Sequence, residues 1–342
     1  MTIVVDAHTH VVPAHIPERR NASAHWPGIS QDGNAGGDAS VMINGRVFRR
    51  IDSRCWDVER RLADMREDGS DLHVLSPMPE LLSHWLSVDE ADALAGVIND
   101  DIARMVAAAP DRFVGVGMVC MQDPALAAKR LQELKARGFA GVEIGTHIDK
   151  VPLGDPSLWP VYEAAADLGL MILVHPLHPA GVERIARSPE YAAVAAFPLE
   201  TALAAVSLLG HGVIERFPNL NILLSHGGGA LPWLLPRLDK GHTLGGSVSK
   251  DMGLAPSSLA KRFWYDTVLY SDRALQFLAG SVGADRIVVG SDYPFAIRES
   301  EPGKAARQAL GADASCLSRN AETLLGRSFG TRAELTPARA AQ

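Results

Sequence analysis

Five residues of this chain carry the side chains and spacing that metal-assisted proton chemistry needs: His8, His10, His175, His226 and Asp292. His8 and His10 close a short β-branched run, I-V-V-D-A-H-T-H, so both imidazoles fall at the end of a strand, where the chain leaves the sheet. His175 ends a second apolar run in L-V-H-P, His226 a third in L-S-H-G-G-G, and Asp292 a fourth in V-G-S-D-Y-P. Singly, each has an ordinary structural reading: a core histidine satisfied by backbone groups, or an aspartate that caps the following turn. Jointly, three imidazoles and one carboxylate converging on one mouth, with a position left for water, make a catalytic rather than a structural divalent-metal site.

Bringing four strand ends to one mouth requires a particular architecture. Apolar runs read as strands near 3–10, 71–76, 113–118, 141–144, 171–174, 220–224, 263–267 and 287–289. Helical spacing fills the intervals, including a helix from Asp89, its expected cap, to Ala109, another from Glu200 to Phe217, one from Ala230 to Leu238 and a last one from Glu301. This alternation predicts a closed (β/α)₈ TIM barrel, in which chemistry sits on the loops at the carboxyl ends of the strands. No G-x-G-x-x-G follows the first strand, which argues against a dinucleotide-binding sheet. Residues 1–326 are expected to form a single domain, with 327–342 a flexible tail. An insertion over 11–55, rich in Pro, Gly, Asn and Asp, is expected to be a lid carrying a hairpin with Asn44-Gly45 at its turn and Arg46, Arg49 and Arg50 beside it.

Composition excludes several classes of partner. With 342 residues and 47% hydrophobic content the chain can bury a sizeable core. A net charge of −7 without clustered Lys and Arg argues against nucleic acid. Cys55, Cys120 and Cys316 lack C-x-x-C spacing, so a disulfide framework or thiolate zinc site is not expected. No basic start precedes an apolar segment, and no window reaches the apolar length of a membrane span, so the expectation is a cytoplasmic protein without a membrane partner.

The motifs D-A-H-T-H, V-H-P, S-H-G-G-G and G-S-D-Y-P-F together resemble the amidohydrolase superfamily, in the branch that contains aminocarboxymuconate-semialdehyde decarboxylase. The likeness runs over nearly the whole chain, through F-R at Phe48-Arg49, Trp56-Asp57, E-I-G-T-H at Glu143 to His147 and L-L-P-R-L-D at Leu234 to Asp239. It implies one Zn²⁺ per chain held by His8, His10, His175 and Asp292, with Mn²⁺, Fe²⁺ or Co²⁺ as substitutes that such ligands accept. It implies that His226 is the acid/base that handles the metal-bound water, with Asp292 beside it in the catalytic set. It further implies that Arg49 grips a substrate carboxylate, and that Arg237 reaches the neighbouring subunit's site in a homodimer.

The residues add to that picture on their own account. In amidohydrolases that hold two ions the resemblance implies a bridging lysine at the end of strand four; here that strand reads G-V-E-I-G-T-H with no lysine, which favours one metal. Glu143 there reads as a structural group, and His147 as a neighbour of the ligands, a substrate-facing residue or an idle one, with no choice among them. The segment after His175 lacks the tryptophan of the best-known decarboxylases of this kind; His178, Arg184 and Tyr191 are the alternatives there, with Trp85 and Phe295 as apolar walls. The expected activity is non-oxidative decarboxylation of a small unsaturated or aromatic carboxylic acid, of the carboxymuconate-semialdehyde kind, in aromatic catabolism. The same parts can direct water at a carbonyl or an activated double bond, so a metal-dependent hydrolase or hydratase of a related ring-cleavage product is the alternative.

Overall fold

An extra residue in the first strand decides which way its histidines point. In the computed structural model, which describes residues 3–31, 37–185 and 191–330, strand Val5–Val11 runs parallel to Leu72–Pro77. Asp6 pairs with His73 and Thr9 with Leu75, so two residues, Ala7 and His8, oppose the single Val74. Such a bulge reverses the alternation of side chains. Val5 and Ala7 therefore pack in the apolar interior of the barrel, with Leu72, Val74 and Leu173, while His8 and His10 still face inward above them. Without the bulge, the strand period of two would send the histidines outward against the helices.

Eight parallel strands surround that interior: Val5–Val11, Leu72–Pro77, Phe113–Gly117, Gly141–Gly145, Met171–His175, Asn221–Leu224, Trp264–Asp266 and Ile287–Val288, paired in chain order. Bonds from Ala7 N–H to Val289 O (2.8 Å), from His10 N–H to Tyr293 O (2.6 Å) and from Asp292 N–H to His8 O (3.0 Å) join the first strand to the last and close the (β/α)₈ barrel. Outward residues such as Val142, Ile144, Ile172, Val174, Ile222 and Leu224 meet the surrounding helices in a second, larger core. The inner core is closed off by Leu324 and Leu325 at the end of helix Leu317–Leu325 and by Phe329 beyond it.

Arg61 ties the end of the first strand to helix Val58–Asp68. Fully buried, it donates to His10 O at 2.6 Å, to Thr9 Oγ1 at 3.2 Å and to Arg54 O at 3.1 Å, and its guanidinium lies 4.6 Å from the centre of the Tyr293 ring. These three acceptors and the Tyr293 ring offset the cost of burying the charge.

Several local expectations shift. The long helix is capped by Ser87 rather than Asp89: it runs Val88–Ala108, the Ser87 hydroxyl accepts from the Glu90 N–H, and Glu90 answers to Ser87 in a capping box. The helix expected over 200–217 begins earlier, with a π-helical turn Ala192–Ala196 leading into Phe197–Gly210, and breaks at Gly212 (φ 69°) before a short helix Val213–Arg216. Ala192–Gly210 also corrects the expectation that no window is apolar enough for a membrane span. A window of 18 of its 19 residues has a mean hydropathy of 1.8, with 44% of it buried. A core helix of a barrel passes that test of length and composition equally well. The helix expected over 230–238 extends to Leu231–Thr243, and the last helical stretch divides into Pro302–Leu310 and Leu317–Leu325.

The insertion after the first strand is largely ordered as a three-stranded antiparallel sheet, Gly28–Gln31, Ala39–Ile43 and Arg46–Ile51. The Asn44-Gly45 turn takes the expected positive φ values of 54° and 68°. Cys55, Cys120 and Cys316 are free thiols. Of the expected tail 327–342, residues 331–342 lie outside the described residues.

Candidate active site

His8, His10, His175, His226 and Asp292 meet at the carboxyl end of the barrel, all buried except His226, which is half-buried on the cavity wall. His8 Nε2 lies 3.0 Å from His10 Nε2. Asp292 Oδ1 lies 3.2 Å from His10 Nε2, 3.5 Å from His8 Nε2 and 4.0 Å from His175 Nε2. One donor atom from each of His8, His175, His226 and Asp292 lies within 4.8 Å of the others. Ligands about 2.0–2.1 Å from a tetrahedral ion stand roughly 3.3 Å apart, so this cluster is on the scale of a metal shell.

The tautomers fit as well. His8 Nδ1 donates to Asp266 Oδ2 at 2.6 Å, His10 Nδ1 to Pro77 O at 3.0 Å and His175 Nδ1 to Pro176 O at 3.0 Å. Each ring therefore holds its proton on Nδ1 and turns the Nε2 lone pair inward. His175 Nε2 and Asp292 Oδ1 are buried with no hydrogen-bond partner among the described residues, which is what a bound cation would satisfy. Electrostatics agree. Burial opposes a charge on His10, yet the carboxylates of Glu143 and Asp292 hold its imidazole up at about 10. His175, buried beside His10, His226 and His8, is held well below the ordinary histidine range. The cluster thus attracts positive charge, and a divalent cation meets the demand while leaving the imidazoles neutral.

Local backbone explains the S-H-G-G-G sequence. His226 has φ 55° and Gly229 φ 59°, and a Cβ on Gly229 would stand 1.8 Å from Pro198 O. Only glycine lets helix Phe197–Gly210 approach the turn that carries His226 so closely. Asp292 likewise sits at φ 69°, held by its N–H bond to His8 O.

A cavity of about 410 Å³ opens beside the cluster, with His175, His226 and Asp292 on its wall. Arg49 and Phe295 line it too, as the sequence suggested, along with Phe197, Val268, Leu269 and Tyr270. Phe295 stacks on His10 with centroids 5.0 Å apart, and the Arg49 guanidinium lies 4.5 Å over Phe295. The inserted sheet thus delivers an arginine to the metal side of the barrel. Trp85 and His178 stack on each other at 4.7 Å and line a second cavity, against Val47 and Phe48 of the hairpin. Arg184 is exposed, as is Tyr191, and neither lines either of these cavities. Arg237 is exposed on helix Leu231–Thr243, outside both cavities. Glu143 is buried 3.6 Å from His10 Nδ1, and His147 Nδ1 and Nε2 contact Asp149 O at 2.7 Å and Leu177 O at 3.0 Å.

The amidohydrolase family model matches residues 5–327, nearly the full length. This chain belongs to that family. The 2-amino-3-carboxymuconate-6-semialdehyde decarboxylase of Dictyostelium discoideum is 33% identical to this amidohydrolase over 310 residues, spanning 89% of this chain and 85% of its own. Among solved structures, 5-carboxyvanillate decarboxylase from Sphingomonas paucimobilis superposes with a TM-score of 0.73 at 30% identity, covering 81% of this chain and 85% of that one. Dihydroxybenzoic acid decarboxylase from Polaromonas sp. JS666, solved with bound manganese and the inhibitor 2-nitroresorcinol, has a TM-score of 0.72 at 26% identity, over 80% and 87% of the two chains.

Asp266, at the end of the seventh strand, was not among the residues singled out from the sequence. Its Oδ2 accepts from His8 Nδ1 and from the His226 N–H at 2.9 Å, and its Oδ1 from the Gly227 N–H at 2.8 Å and the Val268 N–H at 3.0 Å. Although burial opposes it, the hydrogen bond and charge of His8 keep the Asp266 carboxyl below its ordinary range. One carboxylate therefore orients both His8 and the turn bearing His226. The signal was available: W-Y-D-T ends a strand as L-V-H-P does. Asp266→Asn should weaken divalent-metal affinity about 10- to 100-fold by releasing the His8 tautomer. Competition with a chromophoric chelator measures this, and unchanged affinity would contradict the role.

Proposed function

We propose that this amidohydrolase is a metal-dependent, non-oxidative decarboxylase of a small unsaturated or aromatic carboxylic acid. The observation that carries the reading is the placement of Arg49 and the His/Asp cluster on the walls of one otherwise largely apolar cavity. His8, His10, His175 and Asp292 would hold one divalent ion, with zinc suited to the nitrogen-rich donor set and manganese, iron or cobalt compatible with it. When bound, that ion supplies Lewis acidity, which makes proton chemistry available near neutral pH.

The chain's own residues do the rest. Arg49, steadied on Phe295, holds a spectator carboxylate and fixes the acid in register. Phe197, Val268, Leu269 and Phe295 surround the carbon skeleton and exclude water. When the C–C bond to the departing carboxylate breaks, its electron pair stays on carbon. A conjugated system protonated at that carbon receives the pair, and the His226 imidazole, whose buried Nδ1 has no hydrogen-bond partner among the described residues, is the proton source within the cavity. Burial holds His226 below the ordinary histidine range, so its imidazole rests neutral near neutral pH, takes from water the proton that decarboxylation consumes and gives it up readily to carbon.

Incubating metal-loaded protein with a panel of unsaturated and aromatic diacids tests the reading. Release of carbon dioxide with a product lighter by its mass is expected. A product heavier by one water, or turnover of esters and amides alone, would replace decarboxylation by hydration or hydrolysis.

The active form is proposed to be a homodimer. Trp233, 76% exposed, and Arg237 stand one turn apart on the same helix face, and Leu199 and Leu203 of the neighbouring helix are also uncovered. A two-fold contact over this face would cover those apolar groups and carry each Arg237 to the partner subunit, where it can add a second carboxylate contact to that of Arg49.

A further inference from the structure

The proposed site for carboxylic acids leaves Glu80 without a task. Glu80 stands on the short turn Pro79–Leu82 after the second barrel strand and lines the same cavity as Arg49, His226 and Asp292, although it is only 4% exposed. Its Oε1 accepts from Arg49 Nη2 at 2.8 Å, while Oε2 is buried with no hydrogen-bond partner among the described residues. A buried carboxylate oxygen without a donor is costly. Around it the cavity offers mostly side chains that cannot donate: Pro79, Phe197, Val268, Leu269, Phe295 and Ile297. Tyr270, His175 and His226 line the same cavity without bonding Oε2, so a donor carried by a ligand can take that position.

Resting on that reading of the site, we infer that Glu80 is a specificity residue that accepts a hydrogen bond from an amino or hydroxyl group next to the carboxylate held by Arg49. Arg49 and Glu80 form a fork of one donor and one acceptor. A bare carboxylate approaching Arg49 meets the negative charge of Glu80 beside it. An acid that brings an N–H or O–H on the adjacent carbon turns that repulsion into a charge-assisted hydrogen bond. The pair thus selects planar acids with an ortho or enamine-type donor against acids with a methyl or hydrogen in its place.

Calorimetric titration of the metal-loaded protein with 2-aminobenzoate and 2-methylbenzoate isolates this contact, because the two acids differ by one NH₂ for one CH₃. The amino acid should bind about 10- to 100-fold more tightly, the range of a hydrogen bond to a charged group. Glu80→Gln keeps a carbonyl oxygen for Arg49 but presents an NH₂ where Oε2 was, and should bring the two affinities together. Glu80→Asp, which keeps the charge but withdraws it by one methylene, should give an intermediate ratio. A merely structural Glu80 would weaken both acids alike and leave their ratio intact. A ratio that survives Glu80→Gln, or wild-type protein that binds the two acids equally or binds neither, overturns the assignment. Carbon dioxide release by wild-type protein is scored separately: no release with the binding ratio intact retires decarboxylation and leaves Glu80 in place.

Discussion

Rigorous chelation should lower turnover at least about 10³-fold, the equivalent of several kcal/mol of transition-state stabilisation, and about one equivalent of divalent ion per chain should restore it. The expectation follows from the donors themselves. Three imidazoles present Nε2 inward because their Nδ1 protons are committed to Asp266, Pro77 O and Pro176 O. Asp292 Oδ1 and His175 Nε2 have no other hydrogen-bond partner among the described residues. Stripping the ion leaves Asp292, Asp266 and Glu143 around this pocket without a cation, so the metal-free protein should also unfold at a lower temperature, a readout independent of turnover. The stoichiometry comes from strand Gly141–Gly145, which offers Glu143 and no lysine to bridge two ions. Elemental analysis finding two ions per active chain, or full activity after chelation, would contradict this.

How far this site could be read from sequence depended on whether a residue's role lies in its position along a strand or in what it touches across the barrel. His8, His10, His175, His226 and Asp292 were legible because each follows or ends an apolar run, and a parallel barrel carries all such ends to one mouth. The bulge between Asp6 and Thr9 was not, because one extra residue in a β-branched run leaves no mark on composition. Asp266 and the role proposed for Glu80 escaped for a related reason: both rest on contacts across 258 and 31 positions of chain, to His8 and Arg49. Trp85 and His178 illustrate the reverse limit. They sit after strands whose ends face the mouth, yet the inserted hairpin folds over them and encloses a second cavity against Val47 and Phe48. Which wall a loop residue joins depends on where that sheet lands, and local pattern does not encode it.

His226→Ala should lower kcat by about 10²- to 10⁴-fold, the share of a general acid/base, while the protein keeps most of its metal. The proposed ligands His8, His10, His175 and Asp292 remain to hold the ion, whereas the proposed proton carrier on the cavity wall is gone. The turn is held independently of the imidazole, since Asp266 accepts the backbone N–H groups of His226 and Gly227, so the substitution should leave the fold intact. Loss of the metal together with activity would make His226 a ligand instead. The same variant tests the shared site. An Arg237→Ala chain keeps its own His226 but cannot lend an arginine, and a His226→Ala chain lends the arginine but cannot move the proton. If Arg237 serves the partner subunit, a mixed dimer contains one site with both groups intact, and mixing two impaired proteins should recover activity. No recovery, with subunit exchange demonstrated by a labelled chain, would confine Arg237 to its own subunit or to the surface on which it lies.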